Sequence, residues 1–243
     1  MELPAPAALA AALHTAYAGV TAVVSDLDDF DLLLPSACRG WTVCDLLLHL
    51  SLDPQRALIA LSTPADGPPD VDFVSYFRSF PGAGDAAAAL AHAQWVRRTA
   101  AAYSRPESVV ERWTETAAAA GYAVGRAQGE NVHGFSAAGW AQPASFIRTQ
   151  NLVLTVPDFV ATLVTEAVIH HLDLIMSLPD APEPAPEAAA VALSTMDGLV
   201  GSDGLPAHWS EREALLKSTG REDLTPEDRK VLGERAALFP LLS

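Results

Sequence analysis

Glu166 and His170 lie four residues apart inside the apolar run 159–178. Four residues make about one turn of an α-helix, so both side chains project from one stripe, which also carries Leu163 and Leu174. Such an apolar stripe is expected to face a protein core. Because a buried carboxylate without a partner is costly, it is expected to be neutralised, paired or bound to a metal. The pattern predicts a core helix with two inward-facing polar groups.

A third ligand for such a metal is expected from His49. Thr42 is followed three residues later by Asp45, which is the pattern of a capping box and places His49 about two turns into a second helix. Asp45 then either orients the imidazole of His49 or serves only the cap. Two histidines and a glutamate from two helices are typical of catalytic zinc, nickel or iron sites with an open position. The alternative is a buried hydrogen-bond network without a metal.

Composition limits the classes of protein to which the chain can belong. Its 243 residues, 50% of them hydrophobic, can bury one sizeable core. The net charge of −15 disfavours nucleic-acid binding, which depends on lysine and arginine. Cys38 and Cys44 give no disulfide framework and fit a reducing cytoplasm. No signal peptide or membrane-spanning stretch is expected, so we predict a soluble cytoplasmic protein, either a monomer or a homodimer.

Hydrophobic periodicity predicts a mainly α chain. Helices are predicted at 9–27, 42–61, 85–103, 107–120 and 157–178, with shorter ones at 187–199 and 210–217. Pro54 falls inside the second helix and is expected to kink it or to begin a new segment. The apolar stretch 146–156 is rich in β-branched residues and predicts a short strand or hairpin.

A long connection, residues 121–156, precedes the helix that carries Glu166. Connections of this length are often lids over substrates. The connection contains His133, which is a candidate fourth ligand or general base. A proline-rich segment, 179–186, then marks the end of the bundle. We predict a helical bundle over residues 1–180 and a small C-terminal extension over residues 181–243 that packs back on it.

Two blocks of sequence carry a family resemblance. Residues 41–50 read Trp-Thr-x-x-Asp-Leu-x-x-His-Leu, and residues 166–174 read Glu-Ala-x-x-His-His-Leu-Asp-Leu. As a pair they resemble the mycothiol-dependent maleylpyruvate isomerase N-terminal family, within the wider DinB-like four-helix metal-binding superfamily. The resemblance implies a DinB-like four-helix bundle over residues 5–180, with a long connection between its third and fourth helices.

The resemblance also implies a chemistry. It implies that His49, Glu166 and His170 hold one divalent metal, usually zinc, and that the thiol mycothiol is a cosubstrate. Members isomerise maleylpyruvate through a thiol adduct, or transfer mycothiol to electrophiles. Because the connection 121–156 is longer than in the plain family, we favour S-transfer to another small electrophile over isomerisation. A metal- or ligand-binding bundle without turnover is the third interpretation. The alanine- and proline-rich composition fits the GC-rich actinobacteria that make mycothiol.

Two more side chains are candidates for catalysis. Asp173 returns to the stripe of Glu166, where it is expected to hydrogen-bond a ligand imidazole or the substrate. His171 points about a hundred degrees away from His170 and is not expected to share the metal. In the family, an arginine of the C-terminal portion can bind a substrate carboxylate. Arg221, which follows a predicted helix stop, is the candidate for that role.

Overall fold

The computed structural model describes residues 3–79, 86–127, 146–178 and 180–242, and it is mainly helical. Its helices are α1 (Pro6–Val24), α2 (Val43–Leu61), α3 (Ser75–Arg78), α4 (Ala86–Ala100), α5 (Glu107–Ala127), α6 (Val156–Ile175), α7 (Pro186–Val200), α8 (Glu211–Ser218) and α9 (Pro226–Leu232). Two strands, β1 (Phe146–Thr149) and β2 (Leu152–Thr155), form an antiparallel hairpin. Short 3₁₀ helices lie at Asp31–Leu33 and Gly233–Leu238.

Four long helices form the predicted bundle. α1 and α2 each pack against both α5 and α6, so that α1 and α2 occupy opposite corners. Fully buried apolar side chains from all four helices fill the centre, among them Leu9, Leu47, Trp113 and Phe159. Burying one such side chain contributes about 1.5–3 kcal/mol relative to leaving it in water. The predicted mainly α, DinB-like bundle is confirmed, and α2 and α6 are neighbours in it.

α2 begins at a capping box, as its sequence predicts. The hydroxyl of Thr42 accepts a hydrogen bond from the backbone N–H of Asp45 at 3.1 Å, and the Asp45 carboxylate accepts one from the backbone N–H of Thr42 at 2.9 Å. Because its carboxylate serves the cap, Asp45 is not the side chain that orients His49. Pro54 lies buried inside α2, which continues to Leu61 without a break.

α5 is longer than its sequence predicts. A helix end near Ala120 was expected because Gly121 and Gly125 follow, but α5 continues to Ala127. Glycine in a helix costs about 1 kcal/mol. The fully buried Val124 in the same turns offsets this cost by packing in the core. The connection to α6 is therefore shorter than predicted.

The predicted hairpin ends that connection. β1 and β2 pair in register from Phe146 opposite Thr155 to Thr149 opposite Leu152. Gln150 and Asn151 form the turn with φ values of 46° and 66°, as a two-residue type I′ turn requires. β1 packs on α2, so the hairpin turn lies beside the bundle. Residues 128–145, including His133, lie outside the described residues.

The C-terminal residues share the core of the bundle. α7 packs on α6 and α1, and α8 packs on α7. Leu215 and Leu216 of α8 belong to the main core, while Trp209, Leu224 and Leu232 form part of a smaller cluster. α9, which sequence patterning did not predict, begins at a capping box. The division of the chain near residue 180 stays a prediction.

α1 corrects one expectation about membranes. Its nineteen residues, Pro6–Val24, are long and apolar enough to cross a bilayer, although no such stretch was expected. Half of its most apolar window is buried inside the protein, where it packs on α5 and α6. A core helix passes the same test, so this feature is weak evidence for a membrane.

Candidate metal centre

Of the three predicted ligands, His170 and Glu166 are adjacent on α6, and the ring of His49 on α2 lies against that of His170, but the three ligand atoms are not all within 4.8 Å of one another. The imidazole rings of His49 and His170 have centroids 5.0 Å apart and planes at 88°. On α6, Nε2 of His170 lies 3.5 Å from Oε2 of Glu166. The side chains of His170 and Glu166 are 12% and 28% exposed, so the group lies near the surface of the bundle but largely out of water. Nitrogen and oxygen donors of this kind suit zinc, nickel or iron.

Asp173 holds the ring of His170 in one orientation. Nδ1 of His170 lies 2.9 Å from Oδ2 of Asp173, whose side chain is 2% exposed. Arg221 donates from Nε and Nη2 to the two oxygens of the same carboxylate, at 2.6 Å each. A carboxylate that accepts from Nδ1 leaves Nε2 as the ligand atom, and this is the nitrogen that faces Glu166.

The same contacts fix the charges around α6. Burial lowers the pKa of His170, but hydrogen bonds to Asp173 and Cys38 and the charges of Asp173 and Glu166 outweigh it and raise this pKa to about 10. Burial likewise raises the pKa of Asp173, but hydrogen bonds from His170 and Arg221 hold it well below its usual range. In the metal-free protein His170 is therefore protonated at neutral pH, and a metal would have to displace the proton on Nε2.

Glu166 shares His170 with Asp173, since its Oε2 lies 3.5 Å from Nε2 while Asp173 holds Nδ1. Burial, followed by the charge of Asp53, raises its pKa, although the charges of His170, Arg56 and Arg221 oppose this. A carboxylate in such a position is stabilised by a cation. Two imidazoles and a carboxylate are donor types that suit a divalent metal, although their three ligand atoms are not all within 4.8 Å of one another in this structure.

His49 lies in an aromatic setting on the other side of the site. Its Nδ1 is 3.2 Å from Nε2 of His92 on α4, and its ring centroid is 5.0 Å from that of Trp41. Burial, followed by the charges of His170 and His92, holds the pKa of His49 well below its ordinary value. Its ring is therefore neutral, as metal ligation requires. Nε1 of Trp41 is buried and has no hydrogen-bond partner within the described residues, so this donor is available to a bound ligand.

A different set of donors has the spacing of a metal site. Among the described residues, Cys38, His170 and Asp173 present one ligand atom each within 4.8 Å of one another. The thiol of Cys38 lies 3.3 Å from Oδ2 of Asp173. However, Arg221 already pairs with both oxygens of this carboxylate, and its positive charge repels a cation there. We interpret Cys38 and Asp173 as side chains that hold His170 in position, and not as metal ligands.

A cavity of about 470 Å³ lies between α2 and the hairpin turn. Its lining includes Arg56, Arg148, Gln55, Gln150 and Asn151 and contains no carboxylate residue, although the chain carries a net charge of −15. Arg56 lies about two helical turns after His49 on α2, whereas His49, Glu166 and His170 do not line the cavity. The cavity is therefore suited to a polar or anionic small molecule.

Arg56 is fixed in the cavity wall by its neighbours. Its side chain is 15% exposed and pairs with Asp53 at 2.8 Å. It also donates to the hydroxyl of Tyr76, which hydrogen-bonds Oε1 of Gln150 in the hairpin turn. The guanidinium lies over the ring of Phe159 as well, 5.5 Å from its centroid. This network joins α2, α3 and the hairpin around one fixed positive charge.

The other predicted site residues lie elsewhere or are already paired. His171 hydrogen-bonds the carbonyl of Pro182, away from the ligand group. Arg221 is 14% exposed, and its guanidinium pairs with Asp173. In this structure Arg221 therefore acts on the site through Asp173. His133 lies outside the described residues.

Sequence reasoning missed three neighbours of the site: His92, Cys38 and Arg56. His92 stands alone in an alanine-rich helix, and Cys38 precedes α2 in an irregular segment, so neither has a spacing that signals a site. Arg56 did have a signal, because it lies seven residues after His49 on the same stripe of α2. It was overlooked because Pro54 was expected to interrupt that stripe.

The fold and the donor set define a class: a four-helix bundle with a candidate site for one divalent metal between two neighbouring helices. The family model for the mycothiol maleylpyruvate isomerase N-terminal domain matches residues 13–150, and the chain belongs to this family. The matched residues include His49 and end before α6. Neither a curated protein nor a solved structure matches the chain. Membership associates the chain with mycothiol-related enzymes.

Proposed function

We propose that this protein is a metal- and thiol-dependent enzyme that transfers mycothiol to a small electrophilic metabolite. The observation that supports the proposal is the contact of the His49 ring on α2 with the His170 ring on α6, beside which Glu166 lies. The family match supports mycothiol as the thiol. We further propose a cytoplasmic location, which suits the free thiols Cys38 and Cys44.

His49, Glu166 and His170 would hold the metal, most simply zinc, with nickel and iron as the alternatives for these donors. When bound, such a metal lowers the pKa of a coordinated thiol, so that a thiolate is available at neutral pH. The chain orients the ligands for this purpose. Asp173 accepts from Nδ1 of His170 and keeps Nε2 free, and Arg221 keeps Asp173 ionised.

The cavity between α2 and the hairpin is the proposed space for the electrophile. Arg56, held rigid by Asp53 and Tyr76, offers a fixed positive charge close to Glu166. Arg148 lines the same cavity from β1, and its guanidinium has no carboxylate partner among the described residues. An electrophile with an anionic group would bind these arginines and place its reactive carbon towards α6.

In S-transfer, the sulfur of the thiolate forms a bond to an electrophilic carbon, and the leaving group departs with the electron pair of the broken bond. Isomerisation is the second candidate, because the matched family is named for it. There the thiolate adds to a cis double bond, the resulting single bond rotates, and expulsion of the thiolate restores the double bond as trans. Both reactions need the same thiolate and the same substrate cavity.

Cobalt-substituted protein tests the proposal. Addition of mycothiol is expected to produce a sulfur-to-cobalt charge-transfer band in the wild type and none in Glu166→Ala. A cobalt spectrum that mycothiol does not change would favour a metal-binding bundle without turnover. Incubation with mycothiol and maleylpyruvate then separates the two reactions. Rapid loss of the cis isomer would contradict the preference for transfer, whereas a stable thiol adduct would support it.

A further inference from the structure

His92 contributes the contact that orients His49, and this inference rests on the proposed function. α4 packs on α2 and brings Nε2 of His92 to 3.2 Å from Nδ1 of His49. Neither ring nitrogen of a neutral histidine can both carry a proton and bind a metal. The contact at Nδ1 therefore decides which atom of His49 is left to face the site.

Two proton arrangements satisfy this contact. If His92 donates from Nε2, then Nδ1 of His49 is the acceptor, and the proton of His49 lies on its Nε2, where it blocks a metal. If His49 donates from Nδ1, then His92 is the acceptor, and Nε2 of His49 keeps its lone pair. A metal-binding histidine usually donates from its other ring nitrogen in this second way.

The surroundings hold the ring of His92 in place beside His49. Its ring stacks on Trp95 with centroids 6.0 Å apart and planes at 23°, and the ring of Trp41 lies 6.1 Å away. Trp41 also contacts His49, so the two histidines share one aromatic neighbour. This packing restricts both imidazoles and aligns their facing nitrogens.

The position of His49 between two other rings argues against His92 as a ligand. Within the described residues, the ring of His49 contacts those of both His92 and His170, whereas those two rings do not contact each other.

We propose that His92 is a positioning residue that holds His49 with its proton on Nδ1 and its Nε2 turned to the metal. The two ligand histidines are then oriented differently. His170 is held by the buried carboxylate of Asp173, whereas His49 is held by an imidazole on an exposed face of α4.

The test combines histidine NMR with zinc affinity. Long-range ¹H–¹⁵N spectra of metal-free protein are expected to place the proton of His49 on Nδ1, with its signals identified by their loss in His49→Gln. Zinc affinity is measured by competition with a chromogenic chelator. His92→Leu is expected to raise the zinc dissociation constant about 10–100-fold, and His92→Gln, which keeps an acceptor, only about threefold. His14→Leu, an exposed position on α1, is the control and leaves it unchanged.

The proposal would be overturned by a proton on Nε2 of His49, or by equal zinc affinities of His92→Leu and His14→Leu. It would also be overturned by paramagnetic shifts in the cobalt-substituted protein that identify His92 as a direct ligand. Wild-type protein that binds no zinc would refute the proposed function separately. The tautomer of His49 in metal-free protein would still decide the role of His92. Circular dichroism of each variant verifies that it is folded.

Discussion

The ion pair between Asp173 and Arg221 allows a test of whether Arg221 supports the site or binds substrate. Both side chains are largely buried, 2% and 14% exposed, and two hydrogen bonds of 2.6 Å join them. Breaking a buried pair by removing one partner costs about 3–5 kcal/mol, because the other charge is left uncompensated. Asp173→Asn and Arg221→Met are therefore each expected to lower the free energy of unfolding by about 3 kcal/mol.

The double variant makes this prediction specific. Because Asp173→Asn/Arg221→Met removes both charges of this pair and leaves only His170 without its carboxylate partner, it is expected to be more stable than the sum of the two single effects predicts, by about 2 kcal/mol. Urea denaturation followed by circular dichroism measures all four proteins. Arg212→Met, which removes an exposed arginine of α8, is the control and changes stability by less than about 1 kcal/mol. If Arg221→Met keeps wild-type stability and the double variant is additive, Arg221 does not serve Asp173 and its role as a substrate ligand is favoured.

Two further predictions concern the C-terminal residues and the cavity. Asp228 and Lys217 form a buried ion pair with a separation of 3.0 Å. Burial raises the pKa of Asp228, but hydrogen bonds from Trp209 and Lys217 outweigh burial and hold this pKa well below its usual range. The ionised Asp228 therefore stabilises the fold above a pH of about 4, and this stabilisation is lost as the pH falls further. Asp228→Asn is expected to lower the free energy of unfolding by about 3 kcal/mol at pH 7 and by progressively less below a pH of about 4, as measured by urea denaturation. Arg148→Ala is expected to raise the dissociation constant of maleylpyruvate about tenfold, measured by tryptophan fluorescence, whereas exposed Arg97→Ala leaves it unchanged. Equal effects of the two arginine variants would contradict the assignment of the cavity.

Local signals in the sequence predict much of the fold. Thr42 and Asp45 mark the start of α2 because a capping box depends only on neighbouring residues. Glu166 and His170 share a stripe because four residues make about one helical turn. The end of α5 was predicted incorrectly because the cost of Gly121 and Gly125 is local, whereas the packing that offsets it comes from other helices.

The surroundings of the candidate site depend on tertiary contacts. His49 could be proposed as a partner of Glu166 from residue types and helix position, and the family resemblance supports the same choice, but nothing in the spacing brings α2 beside α6. His92 reaches His49 because α4 packs on α2, and Cys38 reaches Asp173 from a segment without regular structure. Such contacts leave no periodic pattern, so sequence reasoning finds the candidate ligands more readily than the residues that orient them.

Metal content tests the central claim most directly. Protein purified without a nickel column is analysed by elemental mass spectrometry as wild type, His49→Ala, Glu166→Ala and the control His14→Ala. We predict about one zinc, nickel or iron ion per chain in the wild type and in His14→Ala, and none in the other two variants. A wild type that holds no metal, even after reconstitution with zinc, would contradict the account and leave His49, Glu166 and His170 as a hydrogen-bonded group in a helical bundle.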